Sequence, residues 1–182
     1  MAKKKNPQNL VWIDLEMTGL DPEKELIIEA ATIITDGELN IVAEGPNLVI
    51  HQKSEILEGM DAWNKKQHKK TGLIEEVKKT RMTVQTAEQR TLSFVRKYCV
   101  MHKSPLCGSS VHHDRRFLIK WMPKLHKYLH YRHIDVSTVK ELIKRWHPHG
   151  KEFPKPQESH RALIDIRSSI EELRFYREHY FK

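Results

Sequence analysis

Hydrophobic and polar positions first fall into a clear rhythm at Leu10-Val-Trp-Ile-Asp-Leu-Glu-Met-Thr-Gly-Leu20, an apolar, β-prone run interrupted by two carboxylates, Asp14 and Glu16. Side chains on a strand alternate faces, so the two acids share one face while Ile13 and Leu15 share the other. Thr18-Gly-Leu-Asp-Pro22 carries turn chemistry, and Leu26 to Thr35 reads as a second strand, nearly continuous in apolar residues. Asp36-Gly37 is a hairpin signal. It leads into Leu39, Ile41 and Ala43, and beyond Gly45-Pro46 the run Leu48-Val-Ile50 reads as one more strand. The pattern predicts an opening antiparallel meander of about three strands.

From Ser54 to Thr80 the period becomes helical and breaks near Thr71-Gly72, which predicts two or three short helices. Thr83 is placed to cap a helix carrying Ala87, Leu92, Val95 and Cys99. Leu106 to Val111 reads as a strand, followed by a helix from His112 that Pro123 kinks or restarts. Arg132 to Val136 reads as a further strand, with a helix after it carrying Val139, Leu142, Ile143 and Trp146. His147 to Pro156 is a loop by composition, and a last helix runs from about Ser159 to Tyr180 with Leu163, Ile166, Ile170 and Leu173 on one stripe. Strands followed by alternating helices and strands, without an internal repeat, predict a mixed α/β layer fold whose central sheet is flanked by helices.

Composition narrows the class. The 182 residues make one domain most simply, read as a single domain over residues 9–182 behind a disordered basic tail of residues 1–8. The Met-Ala-Lys-Lys-Lys start lacks the apolar core of a secretory signal, and no apolar run is long enough to span a membrane. Cys99 and Cys107 have no CxxC spacing, which points to reduced thiols and a cytoplasmic setting. A net charge of +8 suits a polyanionic partner. The clusters Lys65, Lys66, Lys69, Lys70 and Arg115, Arg116 are solvated helix faces unless they lie beside chemistry.

Asp14 and Glu16 have two readings. Like charges desolvated together need a compensator, for which a divalent cation with oxygen ligands is suited; alternatively both sit on the wet face of an edge strand. Asp165 interrupts the apolar stripe of the last helix, and Asp114 opens the helix after the small-residue segment Cys107-Gly-Ser-Ser-Val. Asp114 alone is explained as a favourable charge at a helix N-terminus. His160 precedes Asp165 by just over one turn, at a loop–helix junction. Among the twelve histidines neither His112-His113 nor His147-Pro-His149 supplies a four-ligand zinc set.

Taken in order, Asp14-Leu-Glu16, Ser110-Val-His-His-Asp114-Arg-Arg-Phe-Leu and His160-Arg-Ala-Leu-Ile-Asp165-Ile resemble the three motifs of the DEDDh group of 3′-to-5′ exonucleases. The resemblance runs from about Leu10 to Tyr180. It is closest to the oligoribonuclease family, through Trp12 to Leu20, Trp63-Asn-Lys-Lys-Gln-His68 and Tyr131 to Leu142. Two segments depart from the family pattern: Gly108-Ser109-Ser110 stands where Gly-Asn-Ser is usual, and His112-His113-Asp114 where Gly-Gln-Asp is usual. All five presumed catalytic positions are present.

The resemblance implies a ribonuclease H-like fold and hydrolysis of very short single-stranded RNA to nucleoside 5′-monophosphates, with two Mg²⁺ or Mn²⁺ ions in each site. It implies Asp14, Glu16, Asp114 and Asp165 as metal ligands and His160 as general base. Leu20 and Trp63 are implied to pack on bases, and His68 to lie near the substrate backbone. Ser110, Arg132, Ser137 and Thr138 are implied to cap a 5′ phosphate, with Tyr131 supplied across a homodimer interface. The alternatives are a proofreading or tRNA-trimming exonuclease using the same acids on longer strands, and a non-catalytic nucleic-acid-binding module.

Overall fold

The strand that carries Asp14 and Glu16 lies at the centre of the sheet, so the edge-strand reading of these acids does not hold. In this computed structural model, which describes residues 5–154 and 160–181, β1 (Leu10–Met17) is flanked by β2 (Ile27–Thr35) on one side and β4 (Leu106–Gly108) on the other. With β3 (Ile41–Val49) and β5 (His133–Asp135) at the edges, the order is β3-β2-β1-β4-β5. The first three strands form the antiparallel meander, and β1, β4 and β5 run parallel. β2 is buried along its whole length, as its unbroken apolar run requires.

Alternation along β1 divides the core. Val11, Ile13 and Leu15 face a layer made with α4 (Val84–Tyr98), α5 (His112–Trp121) and α6 (Pro123–Tyr128). Trp12 faces the opposite layer, built from α7 (Val136–Trp146) and α8 (Ala162–Tyr180). There the Trp12 Nε1–H donates to Thr35 Oγ1 at 3.0 Å. Asp14 and Glu16 share the Trp12 face and therefore look toward α8.

Between β3 and α4 lie α1 (Ser54–Gly59), α2 (Ala62–Lys70) and α3 (Leu73–Lys79), the expected set of short helices. The break after α2 falls on Gly72, whose φ of 75° suits glycine. Thr83 caps α4 by accepting Thr86 N–H at 3.2 Å, and Pro123 starts α6 as its first residue.

The structure corrects several boundaries. Gly45-Pro46 does not separate two strands but lies inside β3, where the register skips between its pairings with Ala31 and Ile33. An edge strand with a bulge accommodates proline, which has no N–H to pair. A Cβ at position 45 would lie 2.6 Å from Phe94 and 2.8 Å from the Thr32 carbonyl, so the close approach requires glycine. β4 stops at Gly108 rather than Val111, because Ser110 adopts φ 52° and turns the chain into α5. α8 begins at Ala162; Ser159, from which it was expected to start, lies outside the described residues. Asn6, which falls within the expected tail, and Asn9 both donate to the Tyr98 carbonyl, through Asn6 N–H at 3.1 Å and Asn9 Nδ2–H at 2.9 Å. Residues 1–4 lie outside the described residues.

Candidate active site

The acids converge where the C-terminal end of β1 meets the first turn of α8. One carboxylate oxygen from each of Asp14, Glu16 and Asp165 can be chosen so that all lie within 4.8 Å of one another. Asp114 approaches from α5, the helix that follows the neighbouring parallel strand β4. Because β4 pairs with β1 only through Val11 and Trp12, the backbone of β1 needs another acceptor farther along. Asp114, 5% exposed on the first turn of α5, supplies it: Oδ1 accepts Leu15 N–H at 2.9 Å.

This crowding penalises ionisation. Burial, then Asp114, Glu16 and Asp165, hold Asp14 well above the ordinary carboxylate range. Burial and the charges of Asp165, Glu29 and Asp114 push Glu16 up to about 8, against the opposing effect of Arg161. Burial also raises Asp114, although its bond from Leu15 favours the anion. Three convergent oxygen donors that repel one another fit a hard divalent cation.

Glu29 is a participant the sequence reading missed. It is fully buried on β2 directly opposite Glu16. Its carboxylate accepts from Arg161, with Nη2 at 2.9 Å, and from Ala162 N–H at 3.2 Å, so it closes the start of α8. Arg161 also donates to Glu76 on α3 at 2.8 and 2.9 Å. The available signal was an acid inside the apolar run Ile27-Ile-Glu-Ala-Ala, the same signal that exposed Asp14.

His160 stands at the loop–helix junction, with φ 47°, and its ring meets Trp63 edge-on at 5.5 Å between centroids. Trp63 is 58% exposed on α2, and Leu20 is exposed just beyond β1. His68, on the same helix, lies against the end of β1 beside the acids. It is buried, its Nε2 donates to the Met17 carbonyl at 3.0 Å, and Nδ1 lies 3.9 Å from Glu16 Oε2. In this structure His68 therefore braces the end of β1, and burial lowers its pKa.

A second group lies past the ends of β4 and β5, whose parallel pairing sets Gly108 beside Asp135. Ser110 N–H donates to Ser137 Oγ at 3.0 Å and the two hydroxyls are 3.2 Å apart. Asp135 caps α7 by accepting Ser137 N–H at 3.3 Å and binds the Thr138 hydroxyl at 2.8 Å. Arg132 lies over the ring of Tyr131, Cζ 5.3 Å from its centroid, and Tyr131 is 73% exposed. The structure thus gathers Ser110, Ser137 and Thr138 around Asp135 and leaves Arg132 and Tyr131 on an exposed turn before β5.

The family model described as "Exonuclease" matches residues 11–173. The chain is 57% identical over 175 residues to an oligoribonuclease of Haemophilus influenzae, covering 96% of both chains. It is 54% identical over 177 residues to an oligoribonuclease of Pseudomonas aeruginosa, covering 97% of this chain and 98% of that one. E. coli exonuclease I, solved with a 5cy-dT13 oligonucleotide, superposes with a TM-score of 0.72 at 15% identity over 95% of this chain. The match spans 41% of that protein's length. Exonuclease I of Methylocaldum szegediense also superposes with a TM-score of 0.72, at 20% identity over 96% of this chain. These likenesses bear on the fold, which is the ribonuclease H-like arrangement of a mixed sheet between helical layers. Near-full-length similarity to the curated relatives and the match of the exonuclease model place this chain in the oligoribonuclease family of exonucleases.

Proposed function

We propose that the chain is a 3′-to-5′ exoribonuclease that hydrolyses very short RNA to nucleoside 5′-monophosphates with two magnesium or manganese ions. It acts as a cytoplasmic homodimer of a single catalytic domain, residues 9–182, in which Tyr131 reaches the partner's site. The observation that carries the reading is the convergence of Asp14, Glu16 and Asp165, with Asp114 bonded to the same strand. Asp14, Glu16 and Asp165 would hold one ion, and Asp14 with Asp114, through water, the other. Bound there, the ions supply charge neutralisation at the phosphate and acidify a coordinated water.

The chain's own groups do the rest. Asp114 commits one oxygen to Leu15 and retains the other for the site. His160 takes the proton from the attacking water, a role open to an imidazole at a junction not locked into the helix. Leu20 and Trp63 offer apolar faces for bases, which gives affinity without sequence preference. His68, 3.9 Å from Glu16, lies near the substrate backbone. Exposed Lys66 and Lys70, on the Trp63 face of α2, add charge for phosphates, and Lys65 and Lys69 extend it around the helix. Ser110 and Ser137, now bonded to each other, and Thr138, now bonded to Asp135, exchange those side-chain bonds for a 5′ phosphate, and Arg132 adds its charge.

A capped 5′ end limits substrate length. Incubation with a labelled dinucleotide and a long RNA, with magnesium or manganese and then chelator, tests the whole reading. Metal-dependent release of monophosphates, fastest on the dinucleotide, is expected. Equal rates on both lengths would instead favour a proofreading or trimming enzyme, and binding without cleavage in manganese a non-catalytic module.

A further inference from the structure

Two consecutive residues of α5 face different parts of the molecule. Asp114 turns to β1, while Arg115 turns to the segment between α6 and β5. The sequence placed Arg115 with Arg116 in a solvated basic cluster, yet Arg115 is 6% exposed and only Arg116 faces solvent. Its Nη2 donates to three successive carbonyls, those of His130 at 2.7 Å, Tyr131 at 3.4 Å and Arg132 at 3.3 Å. Nε donates to His133 Nδ1 and Nη1 to His126 Nδ1, both at 3.3 Å. A guanidinium only donates, so both imidazoles accept through Nδ1 and carry their proton on Nε2.

Among the described residues no carboxylate pairs with Arg115, and burial alone lowers its pKa. A buried cation without an acid is costly, so such a residue is retained where its hydrogen bonds do something an apolar side chain cannot. Here they gather the backbone of one turn. The side chains of that turn have little packing of their own: Tyr131 is exposed, stacked on His130 at 4.5 Å between centroids and covered by Arg132. Where they point is decided by the backbone beneath them, and Arg115 holds that backbone.

We propose that Arg115 is a positioning residue that fixes the 130–132 turn and thereby aims Arg132 at the 5′ end of the RNA in its own site and Tyr131 at the 5′ end of the RNA in the partner's site. Preference for very short substrates is then set from the helix that also carries Asp114. This rests on the roles proposed above for Arg132 and Tyr131.

The test compares wild type, R115A, R115K and R132A on three substrates: a 5′-phosphorylated dinucleotide, a long RNA, and the p-nitrophenyl ester of thymidine 5′-monophosphate, which has no 5′ end to cap. In R115A the dinucleotide KM rises about tenfold, while kcat on the ester stays within about threefold of wild type. R115K is intermediate, because an ammonium is a point charge and cannot span the same acceptors. Millimolar guanidinium restores the dinucleotide KM of R115A, entering through the cavity of about 380 Å³ lined by Arg115, His126, His130 and Tyr131. Methylammonium does not. Parallel losses on dinucleotide and ester, or an unchanged dinucleotide KM, would overturn the proposal. Should R115A fail to fold, R115K decides, and wild-type length preference in it counts against the role. If R132A loses dinucleotide and long RNA equally, the 5′-cap reading itself fails; if R132A discriminates and the Arg115 variants do not, only the positioning role fails.

Discussion

At His160 a left-handed backbone, with φ 47°, meets the edge of Trp63. That conformation costs a side-chain-bearing residue roughly 1 kcal/mol, a cost commonly found at functional sites. His160, the proposed base, is not one of the three convergent carboxylates. Its replacement by Ala is therefore expected to lower kcat by about 10²- to 10⁴-fold while leaving manganese affinity, measured by titration calorimetry, within error of wild type. A near-normal rate at neutral pH would remove the role. Trp63→Ala should act on binding, raising the KM for a dinucleotide by about tenfold or more through lost base stacking, with kcat little changed. These residues were legible as types at given positions. Their meeting was not, because Trp63 and His160 lie far apart in the chain and are brought together only by the tertiary fold.

Among the elements, the start of α8 depends on a bond network absent from any motif. Glu29 on β2 takes Arg161 and the first amide of the helix, and Arg161 extends to Glu76 on α3. Arg161→Ala leaves a fully buried carboxylate beside the Asp14 and Glu16 charges. A loss of about 3 kcal/mol or more is expected by urea denaturation, with Asp165 displaced and metal affinity reduced. Unchanged stability would show that the network is incidental. Element type was readable because periodicity is local: the meander, the break at Gly72, the Thr83 cap and the restart at Pro123 follow from side-chain alternation, backbone freedom and capping chemistry. The ends of β3 and β4 were not, since they depend on an edge bulge beside Phe94 and on a left-handed Ser110 that turns the chain so that Asp114 reaches Leu15.

Across the whole molecule, the packed acids link metal, pH and stability. Asp14, Glu16 and Asp114 have folded-state pKa values raised above their unfolded ones. At these three carboxyls the folded, metal-free protein therefore binds more protons than the unfolded chain, and the stability they contribute is lost as pH rises from the unfolded carboxylate range through about 8, where Glu16 ionises. Thermal melts in chelator should show a falling midpoint from about pH 7 to pH 9, above the range in which the lowered pKa values of His68, His113, His126 and His133 act in the opposite sense. Manganese should restore it, with the larger gain at higher pH, where less proton release opposes binding. D14N, which removes one charge, should flatten both effects. A midpoint independent of metal at pH 8 would contradict the proposed metal site. Helices capable of crossing a membrane are absent among the described residues.

Alternation along Leu10–Met17 was sufficient to put Asp14 and Glu16 on one face, because strand geometry is a local property. The ordered motifs likewise named Asp114, His160 and Asp165 as companions through resemblance. That β1 is central, that its acidic face looks at α8, and that Glu29 and Arg161 close the same site required the sheet order and the helix packing. So did the burial of Arg115 beneath the turn that carries Tyr131 and Arg132. Which face of a strand an acid occupies follows from its immediate neighbours, whereas what that face meets depends on contacts between residues distant in the chain.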